Sequence, residues 1–210
     1  MWQKFKNECE ECELCKQDNL LYPTAFPVMM KSFPRNTDIL FILEAPNFED
    51  THDVNKKYLT VDTETDPSGK FMYELFTHEL RFDMQDLFLT NSVLCLPAKN
   101  EKYGNYPVTS KQQKNCSKIL RRMIDTFNPK IVCPLGTKAL LATRKIQEHN
   151  FRKMATAFAQ PTNWYNRILF PLYHTSALAR NPRFGRPEKE QRMDWQKLKR
   201  TWETVNTRVH

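Results

Sequence analysis

Four short, largely apolar runs, the first of them continuous, constrain this chain more than any other feature of its sequence. They are Asp38-Ile39-Leu40-Phe41-Ile42-Leu43, Asp86 to Cys95, Lys130-Ile131-Val132-Cys133-Pro134-Leu135 closed by Gly136, and Arg167-Ile168-Leu169-Phe170-Pro171-Leu172-Tyr173. Apolar runs this short, bounded by polar residues and turn signals, read as buried strands. Pro134 and Pro171 count against the last two, because proline removes a ladder donor. Helical stretches separate the runs. One covers Lys70–Leu80. Lys111–Phe127 puts Cys116, Ile119, Leu120, Met123, Ile124 and Phe127 on one face, with Lys114, Lys118, Arg121 and Arg122 opposite. Thr137 is placed to cap a helix through Leu141, and Pro187–Val205 reads as a charged C-terminal helix. Strands alternating with helices predict an α/β fold. The expectation is a single domain over residues 1–210, with a mostly parallel sheet of about four strands flanked by helices.

In such sheets, ligands bind outside the carboxyl ends of the strands. The residues found there are Glu44-Ala45-Pro46-Asn47, Thr90-Asn91, Gly136-Thr137 and His174-Thr175-Ser176. Three of these strand ends carry Glu, Asn and His, which supply a water-positioning acid, a bidentate amide and an imidazole. The four glycines, Gly69, Gly104, Gly136 and Gly185, have neither G-x-G-x-x-G nor P-loop spacing, which excludes kinases, P-loop ATPases and standard dinucleotide dehydrogenases. Lys and Arg number 32 against 24 acidic residues, a net charge of +8. That surplus suits a polyanion, above all nucleic acid, although a basic soluble protein without such a partner reads the same way. No run approaches the ~18 apolar residues of a membrane span, and Met1 to Lys16 lacks the apolar core of a secretory signal. A cytoplasmic monomer without membrane attachment is expected.

The six cysteines point to metal binding or buried thiols rather than disulfides. Cys9-x2-Cys12-x2-Cys15 lies in a polar N-terminal segment, and Cys95 and Cys116 follow much later. A C-x-x-C pair with two remote cysteines can complete a four-sulfur site for zinc or for an iron–sulfur cluster. Cys95 and Cys116 read equally as small buried hydrophobes, and Cys133, inside a strand, reads as a core thiol.

Five fragments in order resemble the iron–sulfur uracil-DNA glycosylases, family 4 and its relatives, over nearly the whole chain. Cys9-Glu10-Glu11-Cys12-Glu13-Leu14 matches C-x-x-C-x-L. Leu43-Glu44-Ala45-Pro46-Asn47, followed by Phe48-Glu49-Asp50, resembles G-E-A/G-P-G with its trailing acids. Thr90-Asn91-Ser92-Val93-Leu94-Cys95-Leu96-Pro97 resembles T-N-x-x-K-C-R-P-P. Cys116 opens a helix as the family's next cysteine does, and Pro129 to Gly136 matches P-x-x-I-V-x-L-G. His174-Thr175-Ser176-Ala177-Leu178-Ala179-Arg180-Asn181-Pro182 resembles H-P-S-x-L-x-R-N-P. Leu43 and Asn47 replace both glycines of the first motif, Leu94 and Leu96 replace basic residues, and Thr175 replaces proline.

The resemblance implies a DNA glycosylase of base-excision repair that flips out uracil and hydrolyses its N-glycosidic bond. It implies a structural 4Fe–4S cluster on Cys9, Cys12, Cys95 and Cys116 that ties the N-terminal segment to the sheet, with Cys15 as the substitute for Cys9 or Cys12. Asn91 would read the base by donating to O4 and accepting N3–H; a turn-capping asparagine is the plainer reading. Tyr58 falls near the family's base-stacking aromatic, with a core tyrosine as the alternative. His174 would stabilise the departing base anion near O2. Glu44 or Asp50 would orient the attacking water, with Glu49 in place of Asp50 if the loop slips by one. Ser176 resembles the family's phosphate-contacting serine and Leu178 a wedge into the vacated stack. Arg180, Arg183 and Arg186 form a basic run suited to phosphates or to solvent. Two rival readings stand beside this one. The substituted Leu43 and Asn47 point to a glycosylase for another or modified pyrimidine, as in defence against phage DNA. The cysteines and charge also suit a zinc-bearing nucleic-acid-binding module without catalysis.

Overall fold

The apolar run at residues 39–43 does form a strand, β1 (Ile39–Leu43), and its alternation decides the layering of the whole molecule. Ile39 and Phe41 enter one core, while Leu40 and Ile42 enter the other. The computed structural model describes residues 1–15, 18–21, 27–46, 58–100 and 104–207. Ahead of β1 lies α1 (Trp2–Glu10). After it come α2 (Pro67–Glu74), which runs into a π-helical turn (Leu75–Glu79), then β2 (Phe88–Asn91) and a small hairpin of β3 (Lys99–Asn100) and β4 (Gly104–Asn105). The chain continues through α3 (Ser110–Phe127), β5 (Ile131–Pro134), α4 (Thr137–Thr143), α5 (Met154–Ala157), β6 (Thr162–Trp164), β7 (Arg167–Leu169), α6 (Ala177–Arg180) and α7 (Glu188–Thr207).

The main sheet has five strands in the order β2-β1-β5-β7-β6. All its neighbours run parallel except the β6–β7 hairpin. The sheet therefore has one strand more than the sequence predicts. β6 is three residues without an apolar run, and the turn joining it to β7 is Tyr165-Asn166, both with positive φ. That is the geometry of a two-residue hairpin turn without the glycine that normally announces it. The second expected strand shrinks to Phe88–Asn91 because the chain then leaves the sheet, with Pro27 bridged to Cys95 and Leu21 to Pro97. The fourth shrinks to Arg167–Leu169, and Pro134 is tolerated as the last residue of β5.

One face of the sheet is covered by α2, its π-helical turn and α7, with Phe41 stacked on Trp195 at 5.1 Å. The other is covered by α1, α3 and α4. α3 begins with a reciprocal capping box between Thr109 and Gln112 and ends on Asn128 in the left-handed conformation. Its expected apolar face is the buried one, and Lys114, Lys118, Arg121 and Arg122 are exposed. Two helix starts differ from expectation. α2 begins at Pro67 behind the cap Asp66, whose carboxylate accepts from the Ser68 and Gly69 amides. Thr137 is not the cap of α4 but its first residue, because Gly136, with φ +88°, takes the cap position. The N-terminal segment, expected to be merely polar, is helical because Trp2, Phe5 and Cys9 share a face against α3. Among the described residues, no helix is long and apolar enough to cross a membrane.

Beneath α4, His149 presents a pH-sensitive contact. Thr143 donates its hydroxyl to the Leu140 carbonyl and accepts from His149 Nε2 at 2.9 Å, leaving the buried Nδ1 without a partner among the described residues. Burial first, and the Arg144 charge second, lower the His149 pKa from 6.5 to about 4. In the unfolded chain the ring protonates near its ordinary value, so the contribution is fully present above about pH 6.5 and is lost as pH falls toward 4. Thermal unfolding should therefore show the wild type losing Tm relative to His149→Gln between pH 7 and pH 4.5. Parallel curves for the two proteins would contradict the assignment.

Candidate active site

The strand order reverses between β1 and β5, and a parallel sheet opens a crevice at the carboxyl ends of the strands at such a point. A cavity of about 250 Å³ lies there, lined among others by Leu43, Glu44, Asp62, Asp66, His174 and Thr175. Glu44 follows β1 directly. Its carbonyl accepts from Ser92 Oγ at 2.6 Å and from the Val93 amide at 3.1 Å, which locks its backbone to the end of β2 while its side chain lines the cavity. The two aspartates come from the segment before α2, which sequence patterning did not connect with the strand ends. Asp66-Pro67 carries a helix-start signal of its own, a capping acid followed by proline. The cavity wall also needs Gly69, since a Cβ there would stand 2.0 Å from the Asp62 carbonyl oxygen.

His174 is half-buried after β7. Its Nδ1 accepts from the Ser176 amide at 3.1 Å, so the neutral ring carries its proton on Nε2. Burial lowers the His174 pKa, partly opposed by the Asp66 carboxylate. The group lining the cavity is thus a neutral imidazole with one N–H to donate.

Asn91 ends β2 opposite Leu43 in the β1 register. It is only 1% exposed, and neither Oδ1 nor Nδ2 has a hydrogen-bond partner among the described residues. An unpaired buried amide is costly, and Asn91 retains both donor and acceptor capacity at the end of β2, next to the strand that carries Leu43 into the cavity.

The other predicted site residues are dispersed. Asn47, Glu49 and Asp50 lie outside the described residues. Tyr58 is not among the cavity-lining residues; its ring packs under Lys6 Nζ, 4.2 Å from the centroid. Ser176 caps α6, its Oγ accepting from the Ala179 amide at 3.4 Å. Leu178 is 67% exposed. Arg180 lies over the Phe71 ring and pairs with Glu188 at 3.4 Å. Arg186 binds both oxygens of Asp194 and also Glu190, so its charge braces the loop onto α7. Arg183 is exposed.

Five cysteines lie within electrostatic reach of one another around α1, the chain that follows β2, and α3. Cys9 ends α1 in the core, Cys95 follows β2, and Cys116 packs with Val93 and Val108 in α3. Asn115 donates to Cys15 Sγ at 3.3 Å and to the Leu14 carbonyl at 3.0 Å, which holds the Cys12–Cys15 turn against the start of α3. All are free thiols. Burial first, then the negative charge of neighbouring cysteines, pushes Cys9, Cys95 and Cys116 up to about 12. Such a set fits a cationic centre that reverses this repulsion. Among the described residues, no three His, Cys, Asp or Glu side chains gather closely enough to hold one metal ion. A cluster in which each thiolate takes a different iron does not require that convergence. Cys133 is fully buried in β5, a core thiol as expected.

Residues 30–199 match the family model described as the uracil DNA glycosylase superfamily. A Type-4 uracil-DNA glycosylase of Sulfurisphaera tokodaii is 26% identical over 184 residues, covering 86% of this chain and 76% of that one. A Type-4 uracil-DNA glycosylase of Saccharolobus solfataricus is 26% identical over 196 residues, 91% of this chain and 81% of its own length.

The unpaired amide has a measurable cost. Replacing both orphaned groups by methyls of similar shape, in Asn91→Leu, should stabilise the ligand-free protein by about 1 kcal/mol, read as a higher midpoint in urea with an unchanged slope. A lower midpoint would mean that Asn91 is satisfied within the fold.

Proposed function

The chain belongs to the uracil DNA glycosylase superfamily, whose model it matches over residues 30–199, and from that premise we propose that it removes uracil from DNA by hydrolysing the N-glycosidic bond, leaving an abasic site for base-excision repair. The observation that carries the reading is Asn91, a buried amide with no partner for either polar atom among the described residues. It is not itself a lining residue of the cavity, but it ends β2 opposite Leu43, which lines the cavity together with His174.

In this reading, a flipped uracil enters the cavity and Asn91 completes its hydrogen bonds, Nδ2 donating to O4 and Oδ1 accepting N3–H. Selectivity follows because cytosine would present a donor to a donor at position 4. As the glycosidic bond lengthens, negative charge builds on the base and His174 donates Nε2–H to O2. A neutral donor suffices for a leaving group that departs as an anion. Glu44 holds the water that attacks the sugar and faces the positive charge developing there. The resemblance offers Asp50 for the same task. Ser176 and Arg183 contact phosphate, joined by whatever share of Arg180 and Arg186 their carboxylates leave, and Leu178 occupies the vacated stack. Leu43, at a position where the resembling motif has glycine, lines the cavity and favours a second reading in which a modified pyrimidine is the substrate.

The sulfur donors would hold a 4Fe–4S cluster through Cys9, Cys12, Cys95 and Cys116. Such a centre would supply a cross-link between the N-terminal segment, the chain after β2 and α3, since the hydrolysis is not a redox reaction.

Single-turnover cleavage of uracil-containing duplexes, read as alkali-labile abasic sites, tests the reading, and a parallel duplex bearing a 5-substituted pyrimidine tests the second. His174→Ala and Asn91→Ala should each slow uracil release about a hundredfold while DNA affinity changes little, because phosphate contacts supply the affinity. Wild-type rates in either variant would remove that residue from the mechanism. Iron content and absorbance near 400 nm test the cysteines: Cys116→Ala and Cys9→Ala should lose both, whereas Cys15→Ala keeps them. The opposite behaviour of Cys9 and Cys15 would transfer the fourth ligand to Cys15.

A further inference from the structure

Phe184 is the most solvent-exposed aromatic side chain among the described residues, at 71%. Phe33, the next most exposed phenylalanine, packs against Trp2 and Phe127, whereas Phe184 makes no ring contact among the described residues. A single exposed ring is ordinary, but a second large apolar side chain, Leu178 at 67%, is exposed on the same loop. This loop is rigid. The Asn181 side chain accepts from the Arg183 amide at 2.9 Å, and its carbonyl accepts from the Phe184 and Gly185 amides at 3.1 and 2.8 Å. The Arg186 amide donates back to the Ala179 carbonyl at 2.8 Å, and a Cβ on Gly185 would lie 2.1 Å from that same oxygen. Gln191 donates to the Ala179 and Arg186 carbonyls, and Arg186 is braced by Asp194 and Glu190. Backbone therefore lies on backbone from Ala179 to Arg186, and the two residues adjoining that contact, Leu178 and Phe184, are the strongly exposed ones.

We propose that Phe184 is a second DNA-inserting side chain, paired with Leu178 on one prebuilt unit that begins at His174. The proposal rests on the glycosylase reading and extends it. Leu178 fills the gap left by the flipped nucleotide, and Phe184 lays its ring on a neighbouring base of the opened duplex. Duplex DNA is the partner the surroundings favour. Arg183, adjacent in sequence and exposed, suits a phosphate, and the loop is continuous with the strand end that delivers His174 to the cavity. Because the loop is already ordered, little conformational entropy is lost when the ring inserts. Stacking an aromatic ring on a base is favourable and tolerant of sequence, which suits a searching enzyme.

The test compares wild type, Phe184→Ala and Phe184→Trp on one uracil sequence presented as duplex and as single strand. A second duplex carries a 2′-fluorinated, non-hydrolysable uracil nucleotide beside 2-aminopurine, whose fluorescence rises on unstacking. Phe184→Ala should lower the duplex-to-single-strand rate ratio about tenfold or more and reduce the 2-aminopurine signal, while Phe184→Trp restores both. An unchanged ratio and signal in Phe184→Ala would overturn the proposal, as would an equal loss on both substrates. If the wild type unstacks the duplex through Phe184 yet cleaves neither substrate, the glycosylase reading fails and the insertion role stands.

Discussion

Everything at the crevice depends on β1 being satisfied on all four sides. Its backbone pairs with β2 on one edge and β5 on the other, and its side chains enter both cores, with Phe41 stacked on Trp195 and Leu40 and Ile42 packed toward α3 and α4. A strand buried this way cannot slide, because a one-residue slip would exchange the two cores. Its last residue is therefore fixed against Asn91, and the carbonyl of the next, Glu44, is clamped by Ser92 and Val93. The acid and the amide owe their places to the same ladder.

Against that rigid frame, the site is left incomplete. Among the described residues Asn91 finds no partner for either polar atom, and His174 keeps one N–H, its other nitrogen being held by the Ser176 amide. Stability alone would favour apolar residues at both positions. The cost is small beside the cores, and in the proposed reading it is recovered when a base edge supplies the missing partners. The same economy appears at the surface of the His174 loop. Two of its arginines are matched by carboxylates and hold the loop on α7, while Leu178, Arg183 and Phe184 are presented outward.

Much of this was legible in one dimension. The runs at 38–43 and 130–135 and the face of α3 carry their geometry in their periodicity, because strands buried on both faces must be continuously apolar and a half-buried helix must repeat every 3.6 residues. Glu44, Asn91 and His174 could be picked out because each follows such a run, and parallel strands put their carboxyl ends together. Where local signal is short, patterning is silent. β6 is three residues long with a glycine-free turn, and α1 shows only Trp2, Phe5 and Cys9.

What the sequence by itself determined, then, is the alternation of strands and helices, the convergence of three polar groups at one end of the sheet, and the family resemblance that the superfamily match supports. Only the tertiary structure decided which charges are already spent. Arg186 meets Asp194 and Glu190 on another element, Tyr58 lies under Lys6 rather than along the cavity, and Asp62 reaches the crevice because Gly69 leaves room for its carbonyl. Spacing in a chain specifies neighbours within an element. Pairing between elements depends on distances that exist only after the cores have packed, and a side chain's partner, burial and remaining hydrogen-bonding capacity are set there.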